Sequence, residues 1–253
     1  RIKSAEKMKD LFSFLKPKKD IQFVDTKKLS YHNFSVERAI DVPTNTRKVQ
    51  QDKYGKHLMP FCPGILDYAQ FGYIIPAWVD IHIMANKAGT SWYLGDRGVR
   101  GDRGFDNGVK MDEKFIEGAF TPVGIDPAAI LFPSPWKIFT QKNISALLMP
   151  AFYHSTFLDD LYVTPGLVDY KNFHVTNFIC MPKRECNVHI KAGEPLLHVI
   201  PFLNKDITAS VGPATDEMID KTTNLIPGDD KQYYRKFMGM KKKFNMQKEE
   251  NKQ

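Results

Sequence analysis

Cysteine is scarce in this chain. There are three in 253 residues, Cys62, Cys180 and Cys186, an odd number with no Cys-x-x-Cys spacing. That excludes a disulfide framework and a thiolate zinc knuckle, and it predicts reduced thiols in a cytoplasmic setting. A hairpin would bring Cys180 and Cys186 together, but chance spacing is the plainer reading. Long apolar runs are missing as well. The richest stretch, 144–157, is broken by Pro150 and His154, short of the ~20 residues a membrane-spanning helix needs. No secretory signal is visible, because the start is charged and Leu11–Leu15 is too short for an apolar signal core. The first residue, Arg1, is not a methionine, which fits either processing or residues upstream. These absences exclude a helical membrane protein, a collagen, a coiled coil and a disulfide-stapled mini-protein. Hydrophobic residues at 42%, charged at 26% and aromatic at 12% are instead the proportions of a globular chain.

The net charge is +7 and it is unevenly placed. Residues 1–28 carry +5 and residues 231–253 carry +6, which leaves −4 for 29–230. A nucleic-acid enzyme more often carries positive charge on its fold, around a groove. Basic ends on a mildly acidic body read as arms that reach a partner, with solubility tails as the bland alternative. Ser4 to Lys16 predicts a short amphipathic helix, with Met8, Leu11, Phe12 and Leu15 on one face and Pro17 as its stop.

The middle of the chain predicts strands. Ile21–Val24 is one. Cys62–Tyr68 reads as a compact turn. From Trp78 to Met84, Trp78, Asp80, His82 and Met84 alternate with Val79, Ile81 and Ile83, a period-two pattern. Ser91–Leu94 is its hairpin partner, across the turn chemistry of Asn86–Thr90. Gly95–Gly104 is a glycine-rich loop, and 109–130 is irregular. Further strands are predicted at Trp136–Thr140, Ser145–Met149, Leu161–Val163, Leu167–Val168, Phe173–Ile179, Asn187–Ile190 and Leu196–Phe202. Thr164-Pro-Gly166 reads as a turn within that series, and Ala192–Pro195 as another. After Asn204 the pattern turns helical, with Thr215 as a cap and a second helix over 230–250. The expected fold is mainly β: a single sandwich- or barrel-like body of short strands over 29–204. A basic N-terminal segment (1–28) and a helical basic C-terminal extension (205–253) flank it.

With those segments in place, the chain resembles a family of uncharacterised β-rich proteins of tailed phages, marine ones among them, and of bacteria. Matching features are Pro135-Trp136, Leu147-Leu-Met-Pro150, Pro165-Gly-Leu-Val-Asp169, Phe173–Phe178 and Ala192–Phe202. The block from Cys62-Pro-Gly64 to Gly72-Tyr-Ile-Ile-Pro76 fits too. The resemblance imports no activity. Residues 165–202 are also similar to the β-fold of dUTP pyrophosphatases and dCTP deaminases, in which Asp169 and Phe173 would flank a deoxyribose. The phosphate motifs of those enzymes are missing: Thr140-Gln-Lys-Asn143 stands where an Arg-Ser-Ser or Arg-Ser-Gly motif is expected.

Candidate chemistry is sparse. His82, His154, His174, His189 and His198 lie in or near predicted strands, and a facial triad from them needs two imidazoles and a carboxylate to converge. His189 and His198 flank one turn and are candidate cross-strand neighbours. Framework histidines are the commoner outcome, so no metal and no cofactor is assigned. Ser91, Ser134, Ser145 and Ser155 sit in no Gly-x-Ser-x-Gly context, and Cys62 reads as a small hydrophobe, so no catalytic residue is assigned. Arg97, Arg100 and Arg103 in the glycine-rich loop are candidates to grip an anion, although neighbouring aspartates offset much of their charge. Lys241, Lys242 and Lys243 with Phe237 and Phe244 are candidates for a partner-binding stripe, against a neighbouring subunit or nucleic acid. The expectation is a non-enzymatic phage protein, a virion structural or assembly component. It would contact other subunits of a homo- or hetero-oligomer through basic arms, in the virion or the host cytoplasm, with no secretion and no membrane. The alternatives are a nucleotide-handling enzyme related to dUTP pyrophosphatases, a cupin-like metal enzyme, and a nucleic-acid accessory protein.

Overall fold

The computed structural model describes residues 20–26, 34–44, 63–95, 109–110, 129–171, 173–205, 208 and 212–218. The chain divides into two compact units, Arg1–Asn45 with Gln70–Lys205, and Thr46–Ala69 with Asp206–Gln253. The first is built of thirteen described strands: β1 (Ile21–Asp25), β2 (Glu37–Arg38), β3 (Tyr73–Pro76), β4 (Ile81–Asn86), β5 (Gly89–Leu94), β6 (Val109–Lys110), β7 (Ile130–Thr140), β8 (Ile144–Pro150), β9 (Leu161–Val163), β10 (Gly166–Val168), β11 (Val175–Pro182), β12 (Cys186–Ile190) and β13 (Pro195–Leu203).

All pairing is antiparallel, in three sheets. The first runs β1-β7-β11-β9, with β6 also on β7; the second runs β10-β8-β13-β3-β2; the third runs β12-β4-β5. The result is mainly β and sandwich-like. The sheets are open, so the barrel half of the expectation does not hold.

The core follows from strand alternation. Ile130, Phe132, Trp136 and Ile138 point one way from β7 and meet Phe178 and Cys180 of β11. Ala146 and Leu148 of β8, Leu197 and Val199 of β13, and Ile81 and Ile83 of β4 join the same cluster. Burying each such aliphatic side chain stabilises the fold by about 1.5–3 kcal/mol. The hairpin β4–β5 stands as the alternation predicts, with Ala88 N–H donating to Asn86 Oδ1 (2.8 Å) at its turn.

Four readings are corrected. Pro63–Gln70 is an α-helix (α1), not a turn; proline in a first turn forfeits no intrahelical bond. Strand β7 begins at Ile130 and runs through Pro133 and Pro135. Pro135 falls where the β11 register shifts, between Val175↔Lys137 and Asn177↔Pro133, and Pro133 is registered opposite Asn177 at the edge of that shift. Thr164–Pro165 joins no hairpin: β9 belongs to the first sheet and β10 to the second, so the chain crosses between sheets there. Finally β12 and β13 lie in different sheets, so His189 and His198 are not cross-strand neighbours.

In the second unit, Met218 N–H donates to Thr215 Oγ1 (3.3 Å) as Asp216–Met218 turn helical, the expected cap. The predicted helices at 4–16 and 230–250 lie outside the described residues, as does most of 109–130.

Candidate functional site

The site is built on the outer face of β12-β4-β5. In β4, Ile81, Ile83 and Ala85 face the core, which forces His82 and Met84 outward. Asp80, two residues before His82, shares that side. The register pairs His189 of β12 with His82, and His82 with Tyr93 of β5. Three rings therefore line up across the sheet. His82 stacks on His189 at 3.9 Å and 16°, and on Tyr93 at 4.2 Å and 11°.

Asp80 closes the row. It accepts the Nε2–H of His189 at Oδ2 (2.9 Å) and the backbone N–H of Ala192 at Oδ1 (2.8 Å). The Ala192 N–H and then the His189 hydrogen bond hold its carboxyl below the usual carboxylate range, against the opposing pull of burial. With Asp80 acceptor-only, His189 carries its proton on Nε2. Asp80, His82 and His189 each offer one ligand atom, all within 4.8 Å of one another. These are the two imidazoles and one carboxylate that the sequence named as a requirement. The sequence names His82 and His189 among its candidate histidines, but not their register, because His189 meets Asp80 through a pairing 109 residues away.

The other histidines among the described residues are framework groups. His154 Nδ1 donates to Pro43 O (3.1 Å), His174 Nδ1 to Ile138 O (3.0 Å) and His198 Nε2 to Phe71 O. His198, fully buried, has its pKa pushed down by burial, while the Phe71 bond pulls it up and His154 pushes it down. A cavity of about 360 Å³ lies beside His154, with Glu37, Thr156, Gly193 and Glu194 in its wall. It shares the turn 191–194 with the Asp80 site, since Ala192 holds Asp80 while Gly193 and Glu194 line the cavity.

Asp169 Oδ1 accepts from Lys171 N–H (3.0 Å), a local turn bond, and Phe173 is 54% exposed. The ring buried between them in sequence is Tyr170, whose hydroxyl lies 3.2 Å from Thr176 Oγ1 and whose pKa burial pushes up to about 12. Cys180 and Cys186 are free thiols, and burial pushes the pKa of each up, so neither is a ready thiolate. Arg97, Arg100, Arg103, Phe237, Lys241, Lys242, Lys243 and Phe244 lie outside the described residues.

A second surface was not anticipated from the sequence. On the outer face of β10-β8-β13, the register sets Leu167, Leu147 and Ile200 in one cross-strand row. Leu167, on the outermost strand, is 69% exposed, and Leu147 and Ile200 are half-buried. The neighbouring row differs: Ile74 and His198 are covered, Ile74 packing with Ala39, Val42 and Ala151.

No helix among the described residues is long and apolar enough to cross a membrane. No protein-family model matches the chain, and no curated sequence is significantly similar to it.

Proposed function

We propose that this protein is a non-enzymatic structural subunit that assembles with further copies of itself, as a component of a phage particle of the kind its sequence resembles. The observation that carries the reading is the apolar row Leu167–Leu147–Ile200, exposed at Leu167 and half-buried at the other two. It ends on β10, a strand whose outer edge pairs with no described strand. An apolar row beside an open strand edge is costly to leave in water and is a template for another chain. The occupant is a second copy of this chain. Its own sequence supplies the complement, ends of +5 and +6 against a body of −4. Opposite charge steers the encounter and the apolar row retains it.

Sedimentation velocity of the full chain tests this. At low salt it sediments as an oligomer; Leu167→Lys shifts it toward monomer, and 0.5 M salt weakens association. A wild-type chain that stays monomeric at tens of micromolar removes the reading. Mass spectrometry of purified particles is the complementary measurement, and the subunit is expected there in many copies.

A further inference from the structure

The geometry points to Asp80, His82 and His189 as a site for one divalent transition-metal ion of the zinc, copper or nickel kind, held by two imidazole nitrogens and one carboxylate oxygen. This goes beyond the assembly reading and does not rest on it.

Three observations converge. The first is the donor set. Imidazole suits zinc, copper and nickel, whereas calcium and magnesium need mostly oxygen ligands, and only one carboxylate is present. The second is distance. Two donors about 2.1 Å from one ion, at angles of about 90–110°, lie about 3.0–3.4 Å apart. Asp80 Oδ2 and His189 Nε2 are 2.9 Å apart, and the ligand atom of His82 lies within 4.8 Å of both; reaching the same ion turns the His82 ring out of its stack on His189. The third is support. Asp80 is fixed by the Ala192 N–H at its other oxygen. Ligands held by outer partners lose less freedom when an ion arrives. Among the described residues no other trio of His, Cys, Asp or Glu comes together this way.

The side chains of His189 and Asp80 are 40% and 29% accessible, so an ion enters without opening the core, and water can fill its remaining positions. The ion takes the place of the proton that His189 Nε2 donates to Asp80. That proton moves to the ring's Nδ1, so His189 binds as a neutral imidazole.

Zn²⁺ alone, titrated calorimetrically into the untagged full chain at pH 7.5, is expected to bind at one equivalent, while Mg²⁺ alone gives no binding heat. Asp80→Asn and His189→Gln should each weaken Zn²⁺ by at least about 100-fold. His174→Gln, on another sheet against Phe139, should leave it unchanged. A wild-type chain without stoichiometric Zn²⁺ binding overturns the proposal, as does a folded His189→Gln that binds like wild type. Electron paramagnetic resonance of the unaltered chain with Cu²⁺ covers the case of variants that fail to fold. Coupling to two imidazole nitrogens is expected, and a spectrum without nitrogen coupling overturns the assignment.

Discussion

At Gly72 the backbone leaves no room for a methyl group. Its φ is +84°, and an added Cβ would collide with the carbonyl oxygen of Val199, a backbone atom that cannot swing away. Gly89, at the hairpin turn, also has a positive φ (+132°) but faces open space. Gly89→Ala should therefore cost about 1 kcal/mol of conformational strain, and Gly72→Ala at least about 2–3 kcal/mol. Urea denaturation of both variants compares them, and equal losses would contradict the geometry. Asp80 gives a second test at this scale. Its pKa is depressed in the folded state, so the bonds from Ala192 and His189 stabilise the fold above the unfolded value near 3.9 and are lost as pH falls through the lower folded value. The stability difference between wild type and Asp80→Asn should be flat from pH 5 to 6 and shrink below pH 4. A difference that grows on acidification would show that these bonds do not favour the carboxylate.

Strands with a strong local signature are the ones legible in the sequence. The β4–β5 hairpin is, because alternation and Asn86–Gly89 turn chemistry sit side by side in the chain. The same alternation marks Asp80 and His82 as sharing a face. What local pattern does not carry is register between distant segments. His189 belongs to the site only because β12 docks on β4, and Ala192–Pro195, a plausible hairpin turn, instead hands the chain from one sheet to another. The helix at Pro63–Gln70 is hidden for a different reason, since Pro-Gly signals a turn unless proline occupies a first helical turn. Position within a strand also ranks substitutions. Ile83 of β4 is fully buried, and Ile83→Ala should cost about 2–5 kcal/mol. Leu167 of β10 is 69% exposed, and Leu167→Ala should change monomer stability by no more than about 0.5 kcal/mol. Thermal melts at a concentration where the chain is monomeric check the pair, and a large loss at Leu167 would mean that its side chain already packs within its own fold.

Across the first unit, buried His198 links the stability of the fold to acid. Burial depresses the His198 pKa, so the native state resists the proton that the unfolded chain accepts. The stability this confers is present above the unfolded value of about 6.5 and declines as pH falls toward the lower folded value. The melting temperature should drop between pH 7.5 and 5.5, and His198→Gln, less stable at pH 7.5, should lose less over that interval. An unchanged pH slope in the variant would assign the acid response to other groups. The pairing scheme reaches further. Ile21–Asp25 finds its partner at Trp136–Thr140, and Tyr73–Pro76 finds its partner in Pro195–Leu203, whereas β4–β5 is a tight hairpin closed within one short stretch. On a ribosome emitting the chain from its amino end, β1 waits without β7, and β3 with only the two-residue β2 beside it, until more than a hundred further residues have emerged. Such a nascent chain is a natural client for chaperones, and its yield in a cell will be governed by how long that waiting lasts as much as by how stable the finished molecule is.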